Sequence, residues 1–221
     1  MQAFGFDTDR AFDYENGFYL TSHPKRISKL IAHFEIYRQI TYLPGQVLEC
    51  GVFKGASFIR WLTFRDMLEA SYARRVIGLD VFGEFPEQDL PQDQAFAQRH
   101  DNVAGVGIPL QDLQAFLTQK GFNNFNLVAG DLNQTLPRLL EEEPELRLAL
   151  LHIDVDVYQP SLRSLELLYD RVVPGGVIVF DDYATVEGET RAAEEFFAGK
   201  GITLEKLPYA HIPAYAVKPP F

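Results

Sequence analysis

Two apolar runs that each end on a pair of carboxylates constrain this chain more than any other feature. Residues 148–153 read Leu-Ala-Leu-Leu-His-Ile and lead into Asp154 and Asp156. After a helical segment, residues 177–180 read Val-Ile-Val-Phe and lead into Asp181-Asp182. Both runs have the length and composition of buried strands. If the two strands are parallel neighbours, all four carboxylates converge at the C-terminal edge of one sheet, where open α/β sheets bind ligands. Crowded carboxylates are costly unless a positive charge lies between them. A divalent cation is the simplest candidate.

The rest of the chain alternates helix and strand. A helix is expected from Pro24 to about residue 40, with Ile27, Leu30, Ile31, Phe34, Tyr37 and Ile40 on its apolar face and Pro44-Gly45 ending it. Further strands are expected over residues 46–49, 75–80 and 125–129, and helices over 58–68, 110–120, 135–143 and 189–198. Gly121 and Gly199 close two of these helices. One more helix starts near Pro160 and is stopped by Pro174-Gly175-Gly176. Residues 82–109 are rich in Pro, Gly, Gln and Asp, with helical possibilities over 92–99, and have the length of a lid or binding loop. A last strand pair, 202–206 and 214–218, is joined without a helix and should be antiparallel. The pattern is that of a doubly wound α/β sheet forming one domain, residues 24–221. An arm, residues 1–23, precedes it, in which Phe4, Phe6, Phe12, Tyr14, Phe18 and Tyr19 mix with Asp7, Asp9, Asp13 and Glu15. This arm is expected to pack on the domain or on a second subunit, which makes a homodimer the expected assembly.

Bulk properties narrow the partners. At 221 residues and 47% hydrophobic content, the chain can bury the core of one domain. Its formal net charge of −11 argues against general affinity for nucleic acid or an anionic membrane. A single cysteine, Cys50, rules out an internal disulfide framework. No apolar run has the length of a membrane-spanning helix, and the N-terminal residues lack a signal-peptide pattern. A cytoplasmic location is the expectation.

The first strand enters Glu49-x-Gly51-x-x-x-Gly55. Small residues there let a ligand approach the backbone, and the following helix N-terminus favours an anionic group. The spacing is neither the dinucleotide fingerprint nor a P-loop. It fits the acid-then-glycine turn associated with S-adenosylmethionine, with Glu49 facing the ligand's ammonium. Asp80, ending the second strand, is placed to accept ribose hydroxyls, and Asp131, after the third, to receive an adenine amino group. Asp154, Asp181 and Asp182 supply hard oxygen ligands for a magnesium-class cation. Asp156 lies near that site yet free to take a proton, and a positioned base contributes roughly 10²–10⁴-fold to such a transfer. His152 reads as a core residue. His211 is a candidate for the site's border and His100 for substrate contact, while Cys50 reads as packed.

The segments LECGVFKGAS, GLDVFGEFPE, GDLNQTLP, LHIDVDVYQPSLRSLELLYDRVVPGGVIVFDDY and RAAEEF resemble, in order and spacing, the macrocin O-methyltransferase (TylF-like) family, over residues 47–197. FDYENGFYLTSHPKRISKL resembles shorter members that act on nucleotide-linked deoxyhexoses. The resemblance implies a class I methyltransferase fold and magnesium-dependent methylation of a sugar hydroxyl. It implies that Asp154, Asp181 and Asp182 bind the metal, that Asp156 is the base, and that Glu49, Gly51, Ser57, Asp80 and Asp131 surround the cofactor. The family often has Gly between the first two acids, where this chain has Val155. Two other readings stay open on sequence: a methyltransferase for a catechol-like phenol, and a non-catalytic protein that binds S-adenosylmethionine. A nicotinamide-dependent dehydrogenase lacks its glycine spacing.

Overall fold

The computed structural model describes residues 2–3, 5–86 and 88–220, so Phe4 of the arm and Glu87 of the long connection lie outside the described residues. The chain opens with a small antiparallel hairpin, β1 (Gln2–Ala3) and β2 (Phe6–Asp7), and a helix α1 (Ala11–Thr21). There follow α2 (Lys25–Ile40), β3 (Gln46–Cys50), α3 (Ala56–Leu68), β4 (Val76–Asp80), α4 (Pro91–Ala104), α5 (Leu110–Gln119) and β5 (Phe125–Ala129). The second half contains α6 (Leu132–Glu142), β6 (Leu148–Ile153), α7 (Tyr158–Leu168), β7 (Val172–Phe180), α8 (Glu187–Phe197), β8 (Glu205–Lys206) and β9 (Ala214–Val217).

Seven strands form one sheet in the order β5-β4-β3-β6-β7-β9-β8. β3 to β7 are mutually parallel, and β9 runs antiparallel to both β7 and β8. This is the doubly wound sheet with a final antiparallel pair that the alternation predicts. From β3 the chain winds outward to β4 and β5, then returns to β6 on β3's other side. The crevice of such a sheet opens at that reversal, above the strand ends. All six residues of β6 are buried, and each large aliphatic side chain so withdrawn from water contributes about 1.5–3 kcal/mol. One core face joins Leu48, Leu151, Ile153 and Ile178 to Leu136 and Leu165. The other joins Val47, Leu150 and Val177 to Ile36, Trp61 and Leu113.

Several elements depart from expectation, each for a local reason. The connection over 82–109 contains a 14-residue helix, α4, started by Pro91 in its first turn and stopped at Gly105. Its polar residues hide the periodicity, because only Asp93 and Ala97 are buried. Pro174-Gly175-Gly176 lies inside β7, and the preceding helix ends earlier, at Leu168. Gly176 is held there by contact, since a Cβ would lie 2.8 Å from the Val173 carbonyl oxygen. α6 begins at Leu132 because Asp131 caps it, accepting from the Asn133 N–H at 2.9 Å. The buried face of α2 is Lys29, Ala32, His33, Ile36, Tyr37 and Ile40, which leaves Ile31 exposed. The arm, whose sequence shows no clear period, contains the hairpin and α1, and Phe12 and Leu20 of α1 are 74% and 85% exposed.

Candidate active site

A cavity of about 560 Å³ opens over the C-terminal strand ends, within the usual size of small-molecule sites. Gly51, Ser57, Asp80, Asp131, Asp154, Asp156, Asp181 and Asp182 all border it. Glu49 and Gly55 do not: Glu49 is fully buried beneath it, and Gly55 begins α3 at φ +78° against Leu113.

The glycine turn is built by the sheet itself. Gly51 has φ +90°, and a Cβ there would lie 1.9 Å from the Asp154 carbonyl oxygen. Gly51 is therefore required by the crossing of the β3 and β6 exits, in addition to any ligand. Asp80 organises the same turn, accepting from the N–H groups of Val52 (2.6 Å), Phe53 (2.8 Å) and Phe82 (2.7 Å). Glu49 accepts from the Ser57 hydroxyl and lies 3.3 Å from His152 Nδ1. Burial pushes the Glu49 carboxyl up, against the pull of His152 and Ser57.

His152 is the hinge between the two halves of the site. Its Nε2 lies 3.3 Å from Asp181 Oδ1, so the ring bridges Glu49 and Asp181. Burial disfavours the imidazolium, yet hydrogen bonds to Asp181 and Glu49 outweigh that and raise His152 to about 9. Asp181 also meets Lys29, whose ammonium donates to Oδ2, and His33, whose Nε2 is 3.3 Å from Oδ1. Burial alone would raise Asp181, but His152, His33 and Lys29 hold it well below the usual carboxylate range. Lys29 is raised by Asp181, Asp154 and Asp182 against the cost of burial. His33 stacks on Trp61 at 4.7 Å between centroids and is lowered to about 4 by burial, so it is neutral. The positive charge that the acid cluster demands is supplied, within the chain, by a lysine from α2 and by the His152 imidazolium.

The remaining acids face one another. Oxygens of Asp154, Asp156 and Asp182 lie within 4.8 Å, whereas Asp181 forms a separate triple with His33 and His152. The four acids thus share one cavity, but Asp181 is drawn inward by its cations. Burial first, and then Asp181, raise Asp154 well above its usual value. Burial, then Asp182 and Asp181, raise Asp156 to about 7. Asp156 sits at φ +63°, a strained conformation for a residue other than glycine. Glu189 of α8 fixes that turn: its N–H donates to the Asp156 carbonyl at 3.0 Å, and its Oε1 accepts from the Asp182 N–H at 2.8 Å. Burial holds the Glu189 carboxyl well above its ordinary range.

Lys29, His33 and Glu189 escape a reading by apolar periodicity, although Lys29, His33 and Tyr37 recur at a spacing of four on the face of Ile36 and Ile40. His152, read as core, is buried and also joins the site. His100 lines the cavity against Phe96 and Phe53. His211 is exposed and away from it, and Cys50 is packed.

A family model described as macrocin-O-methyltransferase (TylF) matches residues 21–217. The chain is 32% identical over 148 residues to the 8-demethyl-8-(2,3-dimethoxy-alpha-L-rhamnosyl)-tetracenomycin-C 4'-O-methyltransferase of Streptomyces olivaceus, covering 64% of this chain and 54% of that one. It is 31% identical over 172 residues to the mycinamicin III 3''-O-methyltransferase of Micromonospora griseorubida, covering 74% and 64%. It thus spans between half and two thirds of the length of these relatives. A solved calicheamicin methyltransferase superposes with a TM-score of 0.71 at 25% identity, over 96% of this chain and 86% of that one. The O-methyltransferase NovP superposes with a TM-score of 0.70 at 22% identity, over 88% and 80%. With the match running through nearly every element from α2 to β9, the chain belongs to the macrocin O-methyltransferase (TylF) family.

Proposed function

We propose that this protein transfers a methyl group from S-adenosylmethionine to a hydroxyl of a sugar-like acceptor. The observation that carries the reading is the single cavity that places the Gly51 turn, Asp80 and Asp131 beside the carboxylates of Asp154, Asp156 and Asp182. Sugar O-methylation by the named relatives supports it. The donor lies over the β3, β4 and β5 ends, and the acceptor over β6 and β7. The acceptor oxygen attacks the methyl carbon, the carbon–sulfur bond breaks, and the hydroxyl proton passes to Asp156. A carboxylate held near 7 is matched to that task at neutral pH. The strained turn and the Glu189 anchor fix its position, and the protein's main contribution is orientation.

The donor set also fits a divalent cation. Asp154 and Asp182, with Asp156 beside them, present hard oxygens of the kind magnesium takes. When bound, such an ion lowers the pKa of a hydroxyl it touches. Asp181, the third ligand expected from sequence, joins that set only by exchanging the Lys29 ammonium.

The test is methyl transfer from labelled S-adenosylmethionine to nucleotide-linked deoxysugars, methyl glycosides and catechol, with and without chelator. Transfer to a sugar, lost in chelator and restored by magnesium, is expected. Full activity in excess chelator removes the cation from the reading, and methylation of catechol alone replaces the acceptor class. Donor binding without transfer to any acceptor defeats the enzymatic reading.

A further inference from the structure

α4 roofs the cavity with few anchors. On the acceptor side its Asp93 meets the start of α7, and on the donor side the Lys54 ammonium donates to its Ala104 carbonyl. Phe96 and His100, between these ends, line the cavity. Among the described residues α4 packs broadly on no other element, and it buries only Asp93 and Ala97. So polar a helix gains little from burial to hold itself down. One of its two buried side chains is nevertheless a carboxylate, in a residue only 4% exposed. A buried carboxylate is costly unless it is hydrogen-bonded, and the partner of Asp93 shows what it holds.

α7 begins at Tyr158, after Val157, whose side chain offers no cap. The first N–H of a helix has no partner within it. Here Asp93 Oδ2 accepts the Tyr158 N–H at 2.9 Å, so α4 supplies the cap that α7 lacks, with a negative charge at the favoured end of the helix. Tyr158 lies two residues past Asp156, whose turn is strained at φ +63°. From the other side the Glu189 N–H of α8 donates to the Asp156 carbonyl at 3.0 Å. Gly188 closes the junction. A Cβ there would lie 2.6 Å from the Tyr158 nitrogen, 2.8 Å from the Asp156 carbonyl oxygen and 2.9 Å from Asp93 Oδ1. α4, the Asp156 turn and α8 therefore meet without slack. Resting on the role given to Asp156 above, we propose that Asp93 is a positioning residue for that base. Seating α4 covers the cavity and completes the support of the Asp156 turn, so the base is held in place only when the cavity is covered.

Hydrogen exchange of the full chain tests this in wild type, D93A and D93N. S-adenosylhomocysteine affinity by calorimetry and methyl transfer to a nucleotide-linked deoxysugar are measured alongside. D93A should speed exchange over residues 91–104 and, through the loosened turn, at the Glu189 amide. It should leave S-adenosylhomocysteine affinity unchanged and lower kcat about tenfold or more. D93N keeps an acceptor oxygen and the volume, and should restore both the protection and most of the rate. Faster exchange over 91–104, with the Glu189 amide and kcat as in wild type, makes Asp93 a fastening of α4 alone and overturns the proposal. A lower kcat with both segments exchanging as in wild type assigns Asp93 to the substrate and also overturns it. Loss of S-adenosylhomocysteine binding in D93A makes Asp93 a prop of the whole fold, with the same consequence. Wild type that transfers no methyl group to any acceptor defeats the enzymatic reading and leaves no base to position. Coupled exchange in D93A tells that failure apart from a failure of the contact between α4 and the turn.

Discussion

Glu189 offers the sharpest test of how the acid cluster is held together. Its side chain is fully buried, Oε1 accepts from the Asp182 N–H at 2.8 Å, and Oε2 has no partner among the described residues. Glu189→Ala leaves that N–H without an acceptor, at about 1–3 kcal/mol. The lost methylene adds about 0.8 kcal/mol, so the total is about 2–4 kcal/mol. Glu189→Gln keeps the acceptor and the volume. Burial pushes the Glu189 carboxyl up toward its neutral form; if it is protonated, the glutamine variant stays within about 1 kcal/mol of wild type. Urea unfolding at neutral pH measures both. An alanine variant as stable as wild type refutes the anchoring role. A glutamine variant clearly more stable than wild type refutes the neutral carboxyl, since removing a fourth negative charge beside Asp182, Asp181 and Asp156 would then relieve repulsion. The pH dependence has a fixed sign. A carboxyl whose folded pKa lies above its unfolded one binds its proton more tightly in the native state, so its contribution to stability falls as pH rises above the unfolded value. Glu189→Gln should flatten that part of the curve.

Three further outcomes follow from the same geometry. Gly51→Ala drives a Cβ into the Asp154 carbonyl at a positive φ, so a loss above about 4 kcal/mol, or no soluble protein, is expected in a thermal melt; a variant melting like wild type contradicts the crossing of β3 and β6. Lys29→Met strips Asp181 of its buried ammonium, and breaking such a pair costs about 3–5 kcal/mol, readable by urea unfolding; a change below 1 kcal/mol, on the order of an exposed pair, would mean that Asp181 is not a buried anchor. Methyl transfer should rise with pH through about 7 as Asp156 ionises, while Asp156→Asn abolishes that rise along with most of the rate; a rate independent of pH from acid to alkaline conditions removes Asp156 as the base.

The strands that carry the site were legible because their signal is local. β5 and β6 run over the residues expected, and β3 and β4 differ by one residue at an end. Short apolar runs followed by an acid or glycine need no distant partner to be recognised, and β3, β4 and β6 bury at least four consecutive residues each. Helix starts were less legible. Those of α6, α7 and α8 begin two or three residues before the apolar pattern does, because capping and the first turn are polar. The polarity of α4 likewise hides its full length: sequence shows helical possibilities over 92–99 only, whereas the helix runs from Pro91 to Ala104. Periodicity gives the span of α2 but turns its face, since it assigns polar side chains to solvent, and the buried Lys29 and His33 answer to an acid on β7's exit.

That pairing marks the boundary between what sequence and tertiary structure determine. Sequence by itself pointed to a doubly wound sheet with a final antiparallel pair and to four acids at strand ends, because apolar periodicity and strand-end residues act over a few positions. It also required a positive charge among those acids. Only the tertiary structure decided how that charge is shared: Lys29, 152 residues from Asp181, meets it directly, and His152 joins it to Glu49. Desolvation by the whole fold makes those contacts strong, and no local pattern encodes it. The carboxylates therefore divide into a buried anchor, Asp181, and a facing trio, Asp154, Asp156 and Asp182, because Lys29 and His33 of α2 and His152 of β6 meet Asp181 directly while the trio's oxygens face one another.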